Sequence, residues 1–555
     1  MSMEDWKLAL KKYKESMEQK PRPQKETEGS ADKRSSRNKK TCEKNRKSGT
    51  TPLQQNQAEK AYSKKKRRRN KTKKRLANAA KTLQQPLHLI GGHETCLTKT
   101  EHAHPMSPPE FKLPEYESPD RALLVDKLAN NSNTPLDFPD EISPMRDEDL
   151  YLYVGLDFGT AYTKVVIGDE SDAYAINFGE HGYLLPSAVY VDQYGNASLT
   201  QQRGDTEISE LKMPLIMGDS KREHNIAIVM FLALVFKVIR RWPENDADSP
   251  YKNRSIAWLI NAGIPAENYE DRKLLEKYQR LISAAWTLSY CKTISVYTAR
   301  EVSERLDNRC RSIPSSLRFD NERLMLLPEF SAQIVGYVQS PQRRKYSHLL
   351  IDVGAGTLDI AMFIIDEHDG EWRYKTYDQN LETLGVEILR KYRLVRLKSS
   401  SELTLSDLNK LLNDREYAQW ADVPEDKLRE IDTPFRRAVN LKVRDTICTT
   451  DKHYTGGPGK FTEKITTFLC GGGRNISVYR QAVEVVKTGF PIEILELPKP
   501  ERLRTSIDDQ EFHRLSVAYG LSFDSFNIGE VVKQKVKEYR QITTERENTY
   551  ILYPE

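Results

Sequence analysis

Two stretches of the chain share one pattern, in which an apolar run stops at an aspartate, passes through glycine and a hydroxyl residue, and resumes as a strand. In YVGLDFGTAYTKVVIG, residues 153 to 168, the run reaches Asp157, turns through Gly159 and Thr160, and continues from Lys164 to Ile167. In HLLIDVGAGTLDIAMFII, residues 348 to 365, it reaches Asp352, turns through Gly354, Ala355, Gly356 and Thr357, and resumes in a strand that contains Asp359. Both predict a β-hairpin with a tight turn. An ordinary buried hairpin has the same pattern, but two of this form about 195 residues apart are much harder to obtain by chance than one. A third stretch, TTFLCGGGRNISVYRQAV from 466 to 483, predicts a strand that enters Gly471, Gly472 and Gly473 and leaves as a helix.

The rest of the pattern sets the limits of the folded part. The longest apolar run, IAIVMFLALVF at 226 to 236, has eleven residues, whereas a membrane span needs about twenty. The opening residues have charges spread throughout, unlike a signal peptide, so no transmembrane segment is expected and the expected compartment is the cytoplasm, or the nucleus where a cell has one. Residues 1 to 85 are polar and lysine-rich with few aliphatic side chains, too few to offset the entropy of ordering them, and predict a largely disordered arm. Its exception is 4 to 18, where Trp6, Leu10, Tyr13 and Met17 fall on one helical face. Eight prolines between 105 and 144 exclude long helices and central strands, so 86 to 149 is expected to be a linker. The globular part is expected from 150 to 525, with a tail from 526 to 555.

Charge sharpens that division. Residues 1 to 81 carry 27 Lys+Arg against 9 Asp+Glu, so the remainder of a chain whose net charge is +6 must carry −12. A basic arm precedes an acidic body. The block KKKRRRNKTKKR at 64 to 75 holds ten Lys+Arg, a density suited to non-specific nucleic acid, to a nuclear address or to solubility. Six scattered cysteines without a CxxC argue against a disulfide framework.

The turns carry the candidate chemistry. Glycine-rich turns expose backbone amides in anion-binding nests and let phosphate oxygens come close. Two nests facing each other would clamp a polyphosphate. Mg²⁺ is held through one or two carboxylates together with phosphates, and Asp157, Asp352 and Asp359 are the candidate metal residues. The three glycines of the third stretch suit a flat nucleoside, and the following helix N-terminus favours nearby negative charge.

In this order the three stretches resemble the ATPase superfamily of actin, sugar kinases and the seventy-kilodalton heat-shock chaperones, most of all the nucleotide-binding domain of the chaperones. The resemblance extends through LLPSAVYVDQYGNASL, SIAWLINAGIPAENYEDR, LLPEFSAQIVGYV, LETLGVEIL and FHRLSVAYGLSF, and covers most of 150 to 525. It implies an α/β, two-lobed actin-like ATPase fold, two ribonuclease-H-like domains around a nucleotide cleft, with ATP and Mg²⁺ bound. Asp157, Gly159 and Thr160 would form the first phosphate and metal-water site, and Asp352, Gly354, Gly356, Thr357 and Asp359 the second. Gly471, Gly472, Gly473 and Arg474 would frame the adenosine. The resemblance also points to Glu329 and Lys212 as residues that, with Asp352, place the attacking water.

Ala355 stands where the family's second turn has its middle glycine, and Ala161 where the chaperones usually have another hydroxyl. Nucleotide binding tolerates both changes better than hydrolysis does. About 30 residues follow 525, too few for the chaperones' peptide-binding domain, so an autonomous peptide-binding chaperone is not expected. The implied function is a slow ATPase switch acting on a partner protein regulated by nucleotide state, at nucleic acid if the arm binds it. An actin-like filament former and a small-molecule kinase are the alternatives. GGPGKFT at 456 to 462 lacks the residues of a P-loop and predicts a hairpin loop, while the histidines at 88 to 104 fit no zinc-finger spacing. PFRRAVNLKVR at 434 to 444 predicts a solvated helical face.

Overall fold

The computed structural model describes residues 136–138, 150–247, 249–307, 313, 317, 319, 323–397, 414–454, 463–534, 540–544 and 547–551. The chain divides after Gln85, and all of these residues belong to the second unit. The amphipathic pattern at 4 to 18, the basic block at 64 to 75, the histidine-rich stretch and GGPGKFT lie outside the described residues.

Described structure resumes at Leu150, where the apolar run becomes strand β1 (Leu150–Phe158), which folds back as β2 (Tyr162–Gly168) and β3 (Ala173–Ala175). Helix α1 (Arg222–Asn245) leads to β4 (Ile256–Ile264), and helices α2 (Arg272–Leu288) and α3 (Val296–Asp307) lead to β5 (Leu324–Pro328). The order across this sheet is β3-β2-β1-β4-β5, with Leu503–Arg504 added in parallel outside β3 and Leu185–Pro186 paired to β2. Its hairpin side is antiparallel, and its β1-β4-β5 side is parallel. Because β1 is flanked on both edges, its second half is buried on both faces and reads as a continuous apolar run. The eleven-residue run 226–236 lies in α1, wrapped by the first core. Among the described residues no helix is long and apolar enough to cross a membrane.

The second half repeats the plan. Strand β6 (Ser347–Val353) folds back as β7 (Leu358–His368) and β8 (Glu371–Glu382). Helix α4 (Glu425–Tyr454) then leads to β9 (Ile465–Cys470), and α5 (Ser477–Lys487) leads to β10 (Ile492–Leu495). The order is β8-β7-β6-β9-β10, with the same strand directions as in the first sheet. The sequence discloses two similar turns; the structure doubles the whole five-stranded design around them. The halves differ in their insertions. The first carries a small sheet of 189–191, 197–198 and 206–208, and the second carries helices Val386–Leu397 and Asp414–Trp420 before α4.

A central core joins the two sheets. It gathers Val166 and Ala173 from the first, Leu350, Ala361 and Phe363 from the second, and two short helical segments, 329–338 and Ser516–Leu521. These segments cross in very close approach, since a Cβ on Gly520 would stand 1.8 Å from the Ala332 carbonyl oxygen. Only glycine permits that crossing.

Two segments outside 150 to 525 also carry described structure. Leu136 and Phe138 pack on the first core, and Lys292 Nζ lies 2.9 Å from Asp137 Oδ2, so residues 136–138 are laid on the body. Beyond 525, Glu530–Lys533 pairs in parallel with β8 and widens the second sheet, and 540–544 pairs with 547–551 in a hairpin.

Candidate functional site

The two hairpins are built to one template. In each, the aspartate on the first strand lies directly across the ladder from the residue seven positions later, Asp157 from Lys164 and Asp352 from Asp359. Each turn is closed by the same bond, Gly159 N to the Tyr162 carbonyl at 3.2 Å and Gly354 N to the Thr357 carbonyl at 2.9 Å. Superposing the turns by these bonds sets Thr160 level with Ala355 and Thr357 level with Tyr162. The two hydroxyls thus occupy different corners of the repeated turn.

Most carbonyls of the two turns are engaged. Ser187 Oγ donates to Gly159 O at 2.8 Å, and Ser187 N donates to Ala161 O at 2.8 Å. In the second turn, the amides of Gly385, Val386 and Glu387 donate to the carbonyls of Gly356, Gly354 and Ala355 at 3.3, 3.0 and 2.7 Å. Those amides belong to LETLGVEIL, which thereby serves as a brace. With most of its carbonyls bonded, a glycine turn offers its remaining amides, the group that binds anions.

Four carboxylates and two ammonium groups converge here. Lys164 Nζ donates to Asp157 Oδ2 at 2.9 Å. Lys212 Nζ donates to Glu329 Oε1 at 2.6 Å across 117 positions of sequence. Burial works against the charge of Lys212, but Glu329, Tyr278 and Asp157 together outweigh it and hold its pKa above the ordinary lysine range. Asp352 and Asp359 lack such a partner. Burial, with Glu329 and Asp157 nearby, pushes Asp352 up to about 6 against the relief given by Lys164 and Gln333. Burial and Glu329 push Asp359 up to about 8, although it accepts a bond from Ala266 N at 3.3 Å through Oδ2. One oxygen of each, Asp352 Oδ1 and Asp359 Oδ1, is buried with no hydrogen-bond partner.

These features fit a hard divalent cation and its anionic ligand. The donors are all oxygen, the site has more carboxylates than cations, and two carboxylate oxygens have unspent capacity. Among the described residues no three acidic, histidine or cysteine side chains stand close enough to hold a metal by themselves. A cation here would therefore take its remaining ligands from water or a bound phosphate, as Mg²⁺ does.

The third turn packs beneath the second hairpin. Gly473 N donates to the Val353 carbonyl at 3.1 Å. Gly471 has φ +81, and a Cβ on it would stand 2.2 Å from Asp352 Oδ1, so this glycine gives the aspartate its place. Gly472 has open space where a Cβ would be. Arg474 is bound by the chain's own groups, paired with Glu496 and donating to the Gln510 carbonyl at 2.6 Å. The start of α5 is also supplied from within: Asp414 Oδ2 accepts from Ser477 N at 3.0 Å, and Arg393 holds Asp414 and Asp432. The negative charge expected at this helix N-terminus is thus a side chain. The 434 to 444 stretch lies in α4, with Phe435, Val439 and Val443 buried and Leu441 exposed.

The structure brings Asp157, Asp352, Asp359, Glu329 and Lys212 together, with Gly159, Gly354, Gly356, Gly471 and Gly473 in the turns around them. Lys164 is the residue that sequence reasoning passed over as one of an ordinary alternating strand. Its signal was the seven-residue spacing from Asp157, the same spacing that separates Asp352 from Asp359. Compared with family models and with curated protein sequences, the chain matches none.

Proposed function

We propose that the body is a two-lobed actin-like ATPase, two ribonuclease-H-like domains with ATP·Mg²⁺ between them, working as a slow, chaperone-like switch. The observation that carries this reading is the repeated hairpin: an aspartate at the same place on the central strand of each sheet, each beside a glycine turn closed by the same backbone bond. When bound, Mg²⁺ neutralises charge on the phosphate oxygens. Asp157, Asp352 and Asp359 hold the metal and its waters, and the two turns receive the phosphates. Lys212 neutralises charge near Glu329, and Glu329 with Asp352 orients the attacking water. The open face at Gly472 receives the nucleoside.

The central core supplies the switch. Segments 329–338 and Ser516–Leu521 cross between the sheets, and Glu329 begins the first of them, so a change at the site reaches the crossing directly. A partner protein reads the resulting lobe movement, and the basic arm at 64 to 75 keeps the complex on nucleic acid. Ala161 and Ala355 are consistent with slow turnover.

Calorimetry of the full chain with ATP·Mg²⁺ tests the proposal. Binding is expected for the wild type and is weakened at least tenfold in Asp352→Ala, about 1.4 kcal/mol. A wild-type chain without measurable binding would overturn it.

A further inference from the structure

Helix α2 turns a buried stripe toward the first sheet, Leu274, Leu281, Ile282 and Ala285, and one member of that stripe is a tyrosine. Tyr278 is 2 % exposed, and its hydroxyl has no hydrogen-bond partner among the described residues. Phenylalanine would fill nearly the same volume without burying an unsatisfied hydroxyl.

The surroundings of the ring give that hydroxyl a purpose. Tyr278 lines a cavity of about 10 Å³ whose walls adjoin the site at three points. Leu156 and Phe158 flank Asp157, Leu215 follows Lys212 by one turn, and Gly263 lies against Glu329, whose Cγ is 2.7 Å from where a Cβ on Gly263 would be. The phenol is electrostatically coupled to both Lys212 and Glu329. An unpartnered donor, a small void and a buried ion pair thus share one neighbourhood, while Lys212 holds Glu329 at 2.6 Å.

We propose that Tyr278 is a positioning residue, the second hydrogen-bond partner of Glu329, engaged when an anionic phosphate draws Lys212 away. This rests on the ATPase reading. Once the ammonium group turns to phosphate, Glu329 loses the cation bonded to it, and a carboxylate in a buried setting requires a replacement donor. The void beside the Tyr278 ring gives that side chain room to shift without moving the backbone of α2. Tyr278 then keeps Glu329 aimed at water during turnover.

The experiment compares the full-length wild type with Tyr278→Phe. Without nucleotide, the variant should melt at the same temperature or higher, because it removes a hydroxyl that has no partner. Its ATP·Mg²⁺ affinity by calorimetry should fall by no more than about threefold, and the thermal shift induced by nucleotide should become correspondingly smaller. Single-turnover hydrolysis should fall about tenfold, the value of one charge-assisted bond. In a Glu329→Ala background, Tyr278→Phe should have no further effect.

A wild type that binds nucleotide, beside a variant with the same thermal shift and the same rate, overturns the role of Tyr278 and leaves the ATPase reading standing. A variant that melts lower without nucleotide, or an undiminished effect in the Glu329→Ala background, overturns it equally. Failure of the wild type to bind nucleotide sinks the ATPase reading itself, and the proposal with it.

Discussion

Lys164 and Asp359 occupy the same place in two copies of one hairpin, each directly across the ladder from an aspartate seven residues earlier. The backbone is repeated and the charge is not. The first hairpin closes on an ion pair of 2.9 Å, whereas the second sets the carboxylates of a half-buried Asp352 and a buried Asp359 across from each other. Like charges opposite one another in a ladder repel, and burial removes the water that would screen them. A repeated hairpin is thereby given a cation on one wall and an acidic pair on the other, an asymmetry that suits the metal and phosphate of the proposed function.

Lys164→Met should destabilise the chain without nucleotide by about 1–3 kcal/mol, because Asp157 would keep its burial and lose its charged partner. Lys164 also holds down the pKa of Asp352, so that carboxyl should titrate higher in the variant. Denaturant unfolding at neutral pH checks the first effect. An unchanged midpoint would mean that the pair contributes nothing.

The acidic pair makes a prediction about pH. Asp352 and Asp359 have pKa values raised to about 6 and about 8 from 3.8, so the folded state retains protons that the unfolded state has released. Their destabilising effect begins above the unfolded value and is complete above the folded one. Without nucleotide or metal, stability due to these groups should therefore fall from about pH 4 to about pH 8. Asp359→Asn keeps an acceptor for Ala266 N and removes the charge, so the variant should be more stable than wild type at pH 8, with a smaller difference at pH 5. Calorimetric melting across that range measures it; a variant that is less stable at pH 8 would refute the assignment.

What the sequence made legible was local. Asp157, Asp352 and the three turns stand out because glycine and aspartate act within a few residues, where spacing and geometry coincide. Lys212 and Glu329 are 117 positions apart, and resemblance alone linked them before the structure paired them. Lys164 was lost in the alternation of a strand, and Tyr278 in the apolar stripe of a helix, since periodicity records which side of an element a residue faces and nothing about what lies opposite. Arg474 was expected beside adenosine and is bonded to Glu496 and Gln510, partners further along the chain that no local pattern signals. The doubling of the sheet was implied by the resemblance and by no local pattern, since strand order is a tertiary property and the two halves share little beyond their turns.

The basic block at 64 to 75 lies outside the described residues, and its prediction rests on its ten Lys+Arg. If it grips a phosphate backbone through six to ten contacts, affinity should drop by about 10³ to 10⁵ between 50 and 200 mM salt, about equally for unrelated sequences. Deleting 64 to 75 should abolish that binding and leave ATP binding intact. A mobility-shift titration unaffected by the deletion would leave the block as an address or a solubilising segment.

Gly471 and Gly472 are adjacent, and their substitutions should fail in opposite ways. Gly471 has φ +81, a region that costs an L-residue about 1–2 kcal/mol, and its Cβ would stand 2.2 Å from Asp352 Oδ1 and 2.4 Å from the Val353 carbonyl oxygen. Gly471→Ala should therefore lower the melting temperature and displace Asp352, impairing metal and nucleotide together. Gly472 has no heavy atom within 4 Å of its would-be Cβ and no positive φ. Gly472→Leu should leave stability within about 0.5 kcal/mol of wild type, as an exposed substitution does, yet fill space that the nucleoside needs. Melting curves and ATP calorimetry on the two variants separate the effects. The expected pattern is lost stability with lost binding at 471 and lost binding alone at 472. Undiminished ATP affinity in Gly472→Leu would move the nucleoside away from this turn, even if the phosphate-binding hairpins are correct.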